Sequence, residues 1–324
     1  MINKSIVFVL FLGTVSACLN EYTPDWDQEM EETYIVNSIL FPDSIATVSL
    51  TKSSFFHDEE DLAEMASSQV KLTCIEPIGG RVLFSEILSF RDSVFMGENI
   101  LRQGFDYKLE ILTPSGDSIK AITSIPQPTS FEESDLVFPA GYSDQRNIKG
   151  DIVRLFASFD PPKDQACYYE TYVYNADSMG AGDNKWKYHF LKTVNNDQII
   201  LSEDLPSNYQ NTFLFSTDHD DKDLITLTFD IIPTGNVGNP FFSEFYPVLS
   251  RVSKDYYLYK KSLYQHLDAL QFSPSLEVEN LYFPDIFKVL PEVHSNIEGG
   301  TGIFAGINPT KLKTVCNREG TSCV

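Results

Sequence analysis

The sequence predicts an all-β protein built from two consecutive β-sandwiches, immunoglobulin- or fibronectin-III-like, with one helix near residues 254–270 in the second. Three observations predict it. Short runs alternate apolar and polar residues with period two. Turn signals rich in Pro, Gly, Asp and Ser separate those runs. One stretch carries a helical period instead.

Taken in order, Val48 and Leu50 alternate with polar neighbours, as do Val70, Leu72 and Cys74. That places Cys74 on an apolar face as a small buried hydrophobe. Phe105, Tyr107, Leu109 and Ile111 give a clear strand, followed by the turn TPSGD and a second strand over Ile119–Ile125. The segment SIPQPTSFEESD, with two prolines and an acidic cluster, reads as the boundary between the sandwiches. Beyond it, Val153, Leu155, Ala157 and Phe159 alternate, as do Ile225, Leu227, Phe229 and Ile231. Strand-like runs also cover Tyr168–Tyr174, Gln198–Leu201 and Thr212–Phe215, with Cys167 opening the first of these. Ser253 can cap a helix over 254–270, with Tyr256, Tyr259, Leu263, Leu267 and Leu270 on one packing stripe. The expected organisation is a leader over 1–17, a tether over 18–32, sandwiches over 33–127 and 151–312, a linker over 128–150 and a tail over 313–324.

The first residues carry an address. Lys4 precedes an apolar run from Ile6 to Leu12, then small residues, which is the layout of a cleaved export signal. The run is too short for a spanning helix, which needs about 20 residues. Val15-Ser16-Ala17-Cys18 resembles the lipobox of bacterial lipoproteins, and that resemblance implies that Cys18 is lipidated and becomes residue one; the alternative is a plain secretory signal with a chance Cys. Two or more acyl chains, at about 0.8 kcal/mol per buried CH₂, anchor stably. The acidic stretch Asn20–Glu32 suits a solvated tether, and it resembles the export signal of surface lipoproteins of the Bacteroidota. The expected location is the outer membrane, lipid-anchored and facing outward, with a periplasm-facing position as the alternative.

The formal charge of −22 argues against nucleic acid and against a polybasic membrane patch, both of which need clustered Lys and Arg. Of five cysteines, Cys316 and Cys323 could close a small disulfide outside the cytoplasm, and no spacing suggests zinc.

The sequence has no G-x-S-x-G elbow, H-E-x-x-H or phosphate-binding loop, and no catalytic residue, cofactor or metal is expected. The five His residues are scattered. Asp218, Asp220, Asp221 and Asp223 are a weak Ca²⁺ candidate; the EF-hand glycine and closing Glu are absent, and a solvated turn is the favoured reading. Residues 295–306, SNIEGGTGIFAG, read as a tight, apolar-tipped loop packed on the second sandwich.

That stretch, with VSKDYYLYKKSLYQH and the FP dipeptide before it and YIVNSILFPDSIATVSLTKSSFF near the start, resembles a lipoprotein family of the Bacteroidota known as domain of unknown function 4249. The motif loop comprises Ser295, Asn296, Ile297, Gly299, Gly300, Gly302, Ile303, Phe304 and Gly306; Thr301 departs from the family, where a larger apolar residue is usual. The resemblance implies a partner, since members tend to be encoded beside TonB-dependent receptors, and it carries over no catalytic residue. If the phylum holds, Ser44, Ser93, Ser118 and Ser178 each lie in an Asp-Ser-apolar triplet resembling an O-glycosylation site, a pattern that recurs about once or twice by chance. The expected function is a non-catalytic outer-membrane lipoprotein that assists a TonB-dependent transporter or binds its ligand. The alternatives are a structural or adhesive envelope lipoprotein and, third, a surface hydrolase with acids drawn from separate strands.

Overall fold

A computed structural model describes residues 32–53, 65–145, 148–163, 165–178, 186–190, 193–194, 197–203, 205, 212–218, 224–231, 244–270, 290–311, 315–318 and 321–322. The expected leader, Cys18 and the expected tether as far as Glu31 lie outside the described residues. Thr33–Val324 forms one compact unit.

Its first strands are β1 (Tyr34–Leu40), β2 (Ile45–Lys52), β3 (Gln69–Ile75), β4 (Val82–Ile87), β5 (Ser89–Arg91), β6 (Val94–Ile100), β7 (Phe105–Leu112) and β8 (Ser118–Ile125). The alternation read from the sequence sets their faces: Tyr107, Leu109 and Ile111 of β7 and Ile119, Ala121 and Ile125 of β8 are buried. Cys74 is buried among them, as its place in the alternation requires. The sheet β4-β3-β7-β8 packs on β1, β2, β5 and β6 around this core.

The second set is β9 (Glu133–Gln145), β10 (Ile148–Phe159), β11 (Tyr168–Ser178), β12 (Trp186–Phe190), β13 (Thr193–Val194), α1 (Gln198–Leu201), β14 (Phe213–Ser216), β15 (Ile225–Ile231), β16 (Glu244–Val252), α2 (Lys254–Leu270), β17 (Thr301–Lys311), β18 (Val315–Arg318) and β19 (Thr321–Ser322). The sheet β13-β15-β10-β9 places Val153, Leu155, Ala157 and Phe159 against Ile225, Leu227, Phe229 and Ile231 across antiparallel pairs. All eight are buried, in a second core shared with β11 and β16.

Among the described residues one sheet of 11 strands carries both cores, in the order β12-β11-β16-β17-β1-β2-β6-β5 along its main path. The join is the parallel pair β17–β1, from Ile35 opposite Thr301 to Leu40 opposite Gly306. A third buried cluster lies on the other face of this sheet, where α2 covers Ile303, Ala305, Ile307 and Val252. The chain is thus mainly β and sandwich-like, with the helix at Lys254–Leu270 as expected.

Four local readings change. Residues 133–145, inside the expected linker, form edge strand β9. Its Glu133 and Asp135 are exposed, opposite Ser158 and Phe156 on the face turned away from the second core. Gln198–Leu201 is a single helical turn rather than a strand, a common ambiguity in short apolar runs. The Gly-rich stretch is a loop only as far as Gly300; from Thr301 it is strand β17, packed against the first sandwich's β8 and paired with its β1. Its glycines hide the period-two pattern because they carry no side chain to mark a face. On α2 the buried pair is Tyr256 and Tyr257, while Leu270 at the end of the expected stripe is 45% exposed.

Candidate functional site

The signature segment 295–306 lies between the first core, which takes Ile297 and Phe304, and the cluster under α2, which takes Ile303 and Ala305. Asn296 substitutes for a strand partner: its Nδ2 donates to the Phe304 carbonyl at 2.7 Å and its Oδ1 accepts the Phe304 N–H at 3.0 Å. Glu298 and Lys120 exchange backbone hydrogen bonds of 2.8 and 3.0 Å, fastening the loop to β8. Ser295 Oγ accepts from the Ile297 N–H, and Ile297 is buried in the first core.

β17 then runs so close to its neighbours that two positions admit no side chain. A Cβ on Gly306 would stand 2.1 Å from the Ser124 carbonyl oxygen of β8. One on Gly302, whose φ is +114°, would stand 2.1 Å from the Val36 carbonyl oxygen of β1. Gly299 and Gly300 lie against the Ser118 and Tyr34 carbonyls in the same way. Phe304, between them, fills the first core, and Ile303 and Ala305 face the helix. The glycines therefore serve close packing of backbone on backbone.

The same strand holds the helix. The Ser253 N–H donates to the Gly306 carbonyl at 2.8 Å, and Ser253 Oγ accepts from the Gly306 N–H at 3.2 Å. That hydroxyl also accepts the Tyr256 N–H at 3.4 Å, so Ser253 is both N-cap and strand clasp. From the far side, the His294 N–H donates to Ser262 Oγ, His294 Nε2 lies 3.0 Å from Asp255 Oδ1, and His266 Nδ1 lies 2.7 Å from the Pro291 carbonyl.

Beneath α2 are two buried carboxylates. Glu170, on β11, is 5% exposed and accepts a 2.9 Å hydrogen bond from the Tyr256 hydroxyl; Lys260 Nζ stands 4.0 Å away. Burial pushes the Glu170 carboxyl above its ordinary range, opposed by the Lys260 charge and by hydrogen bonds from Tyr256 and Thr212. Glu203, just after α1, is 6% exposed. It accepts from the Tyr257 hydroxyl, from Lys261 Nζ at 2.7 Å and from the Ser216 N–H at 2.8 Å. Burial first, and then the adjacent carboxylate, raises the Tyr256 phenol; for Tyr257 the order is burial, the hydrogen bond to Glu203 and its charge. Both phenols keep their protons and donate them. Lys260 and Lys261 also lie over the Tyr256 and Tyr257 rings at 5.7 and 5.5 Å.

Glu170 and Glu203 belong to no recognisable motif in the sequence. A usable signal was present: Glu170 falls on the face of Tyr168, Tyr172 and Tyr174, and the adjacent lysines 260 and 261 interrupt a Tyr-rich helix. An acid on one aromatic face and a base on another are complementary.

Other expected sites are dispersed. Ser44, Ser93 and Ser118 lie at or beside hairpin turns, with Asp43, Asp92 and Ser93 in left-handed backbone at φ of 58°, 51° and 67°. Ser93 and Ser118 are exposed, whereas Ser44 Oγ donates to the Phe41 carbonyl at 2.8 Å. Ser178 ends β11, and its side chain lies outside the described residues, as does that of Cys316. Cys323, Asp220, Asp221 and Asp223 lie outside them too. Asp218 accepts from the Tyr168 hydroxyl at 3.3 Å. Among the described residues no group of three or more His, Cys, Asp or Glu is placed to hold a metal, and no helix is long and apolar enough to cross a membrane.

The profile of a family described as "Domain of unknown function (DUF4249)" matches residues 20–313. No curated protein matches. Two solved structures of Escherichia coli alpha-2-macroglobulin, one trypsin-activated and one activated by porcine elastase, are similar at 10% and 9% identity, with TM-scores of 0.21 and 0.20. Each covers 68% of this chain, which spans 14% and 18% of theirs; likeness at that level bears on neither fold nor function here.

Proposed function

The chain belongs to the DUF4249 family, matched over residues 20–313, and from that premise we propose a non-catalytic lipoprotein of the outer membrane. Cys18 anchors it, and its working partner is a TonB-dependent β-barrel, which it assists directly or supplies with bound ligand. One observation carries the non-catalytic part of this reading: the buried acids are already engaged. Glu170 and Glu203 each receive a tyrosine hydroxyl and face a lysine, which suits clamping a helix better than exchanging protons with a substrate. Anchor and partner rest on the lipobox-like Val15–Cys18 stretch and on what the family resemblance implies.

The test is co-purification of the tagged native protein from outer membranes in mild detergent, with mass spectrometry of what accompanies it. A stoichiometric TonB-dependent barrel is the expected result. A protein that purifies alone contradicts the transporter reading and favours an adhesive or structural role. In the same preparation Cys18→Ser should move the protein out of the membrane fraction; retention there would contradict the lipid anchor.

A further inference from the structure

The two cores draw on the chain in different ways. Among the described residues the second core is made wholly of side chains between Phe131 and Leu249. The first is made of side chains between Tyr34 and Ile125, with the exceptions of Ile297 and Phe304, and Phe304 is fully buried in it. The chain thus passes through the whole of the second core before it returns to complete the first.

What returns is a strand with two attachments. Ile303, Ala305 and Ile307 lie under α2 with Val252 and Leu214, while Phe304, between Gly302 and Gly306, turns to the first core. Ile307–Lys311 pairs with β16, and Ser253 exchanges hydrogen bonds of 2.8 and 3.2 Å with Gly306. These β16 and Ser253 bonds involve no residue of β1–β8. On the other side, Thr301–Gly306 pairs with β1, whose second neighbour is β2, and Glu298 pairs with Lys120 along β8. Asn308 Nδ2 adds hydrogen bonds of 3.0 Å to Gln103 Oε1 and 2.8 Å to the Pro126 carbonyl. Without the segment, the first sandwich would have open edges at β1 and β8 and a hole where Phe304 stands.

We propose that segment 295–306 is a folding latch: it docks on β16 and α2 first, and the first sandwich closes on it last, although that sandwich comes earlier in the chain. Closure must wait for a pairing between segments far apart in sequence, whereas the second core draws on one contiguous stretch. A first sandwich that stays open suits the export expected from the leader, because a chain that has not closed can still be threaded through a membrane. The order of folding rests neither on that expectation nor on the transporter reading.

Refolding of the full chain from denaturant, followed by pulsed hydrogen exchange, tests it. The amides of Leu155 and Ala157 on β10 should gain protection in an early phase. Those of Val36 on β1 and Leu109 on β7 should gain it in a later phase, no sooner than Phe304. Phe304→Ala should slow the later phase by about tenfold and leave the early one unchanged. Protection of Val36 and Leu109 before Phe304, or of both cores in a single phase, would overturn the proposal, as would a later phase whose rate ignores Phe304→Ala. Should that variant fail to refold, Ile297→Val supplies a milder slowing of the later phase, about twofold, and the order of protection in wild type decides by itself.

Discussion

Glycine does opposite work in two parts of this molecule. At the tip of the β3–β4 hairpin, Gly79 and Gly80 have φ of +89° and +64°, and a Cβ on either would meet nothing within 4 Å. There the backbone needs the conformation and the surroundings are open. At Gly306 the reverse holds: φ is not in the left-handed region, and the obstacle is the Ser124 carbonyl 2.1 Å from where a Cβ would be. The first pair shapes a turn, and the second lets one strand lie against another. A glycine-rich motif is therefore no evidence of a ligand loop until its neighbours are known.

The contrast can be broken most severely at the junction. Gly306→Ala should cost about 4 kcal/mol or more in denaturant unfolding, because the obstacle is backbone on a buried strand and cannot swing aside. Removal of an acid from beneath α2 should cost less. Glu203→Ala leaves Lys261, Tyr257 and the Ser216 N–H without their acceptor, for a loss of about 3 kcal/mol by the same measurement.

Glu170 gives a smaller effect with a defined sign. Burial raises its folded pKa above the unfolded one. The stability it contributes is therefore fully present below the unfolded value and declines as pH rises through the folded value. Glu170→Gln keeps an acceptor for Tyr256 and removes the titration. The variant should gain on wild type as pH goes from about 5 to about 8 in parallel melts; an unchanged difference across that range would show that the carboxyl does not titrate there. Smallest of all, Gly79→Ala should cost about 1 kcal/mol, the strain of a left-handed alanine in open space. A loss comparable to that of Gly306→Ala would erase the distinction between the two regions.

The sequence displayed what alternation can display. β7, β8, β10 and β15 bury the residues their period-two patterns select, apart from Phe105 at the start of β7, which is half-buried, and Ser253 caps the expected helix. Less was legible where structure depends on distant partners. Nothing local announces that Ile35 will pair with Thr301 in parallel, because that pairing joins segments from opposite ends of the chain. The glycines of β17 suppressed the one pattern that could have marked it as a strand. Glu170 and Glu203 escaped notice for a related reason: an acid is a clamp only once a helix from elsewhere lays tyrosines and lysines over it.

The claim that the signature segment is a fixed junction is tested most directly by native-state hydrogen exchange. The Phe304 N–H, held by Asn296 in the middle of buried β17, should exchange only through global unfolding, along with its neighbours Ile303 and Ala305. The amides of Ile78–Gly80 at the open hairpin tip should exchange far faster. If the β17 amides instead exchange by local opening at rates like those of the tip, the segment is a mobile loop and the account of the junction is wrong.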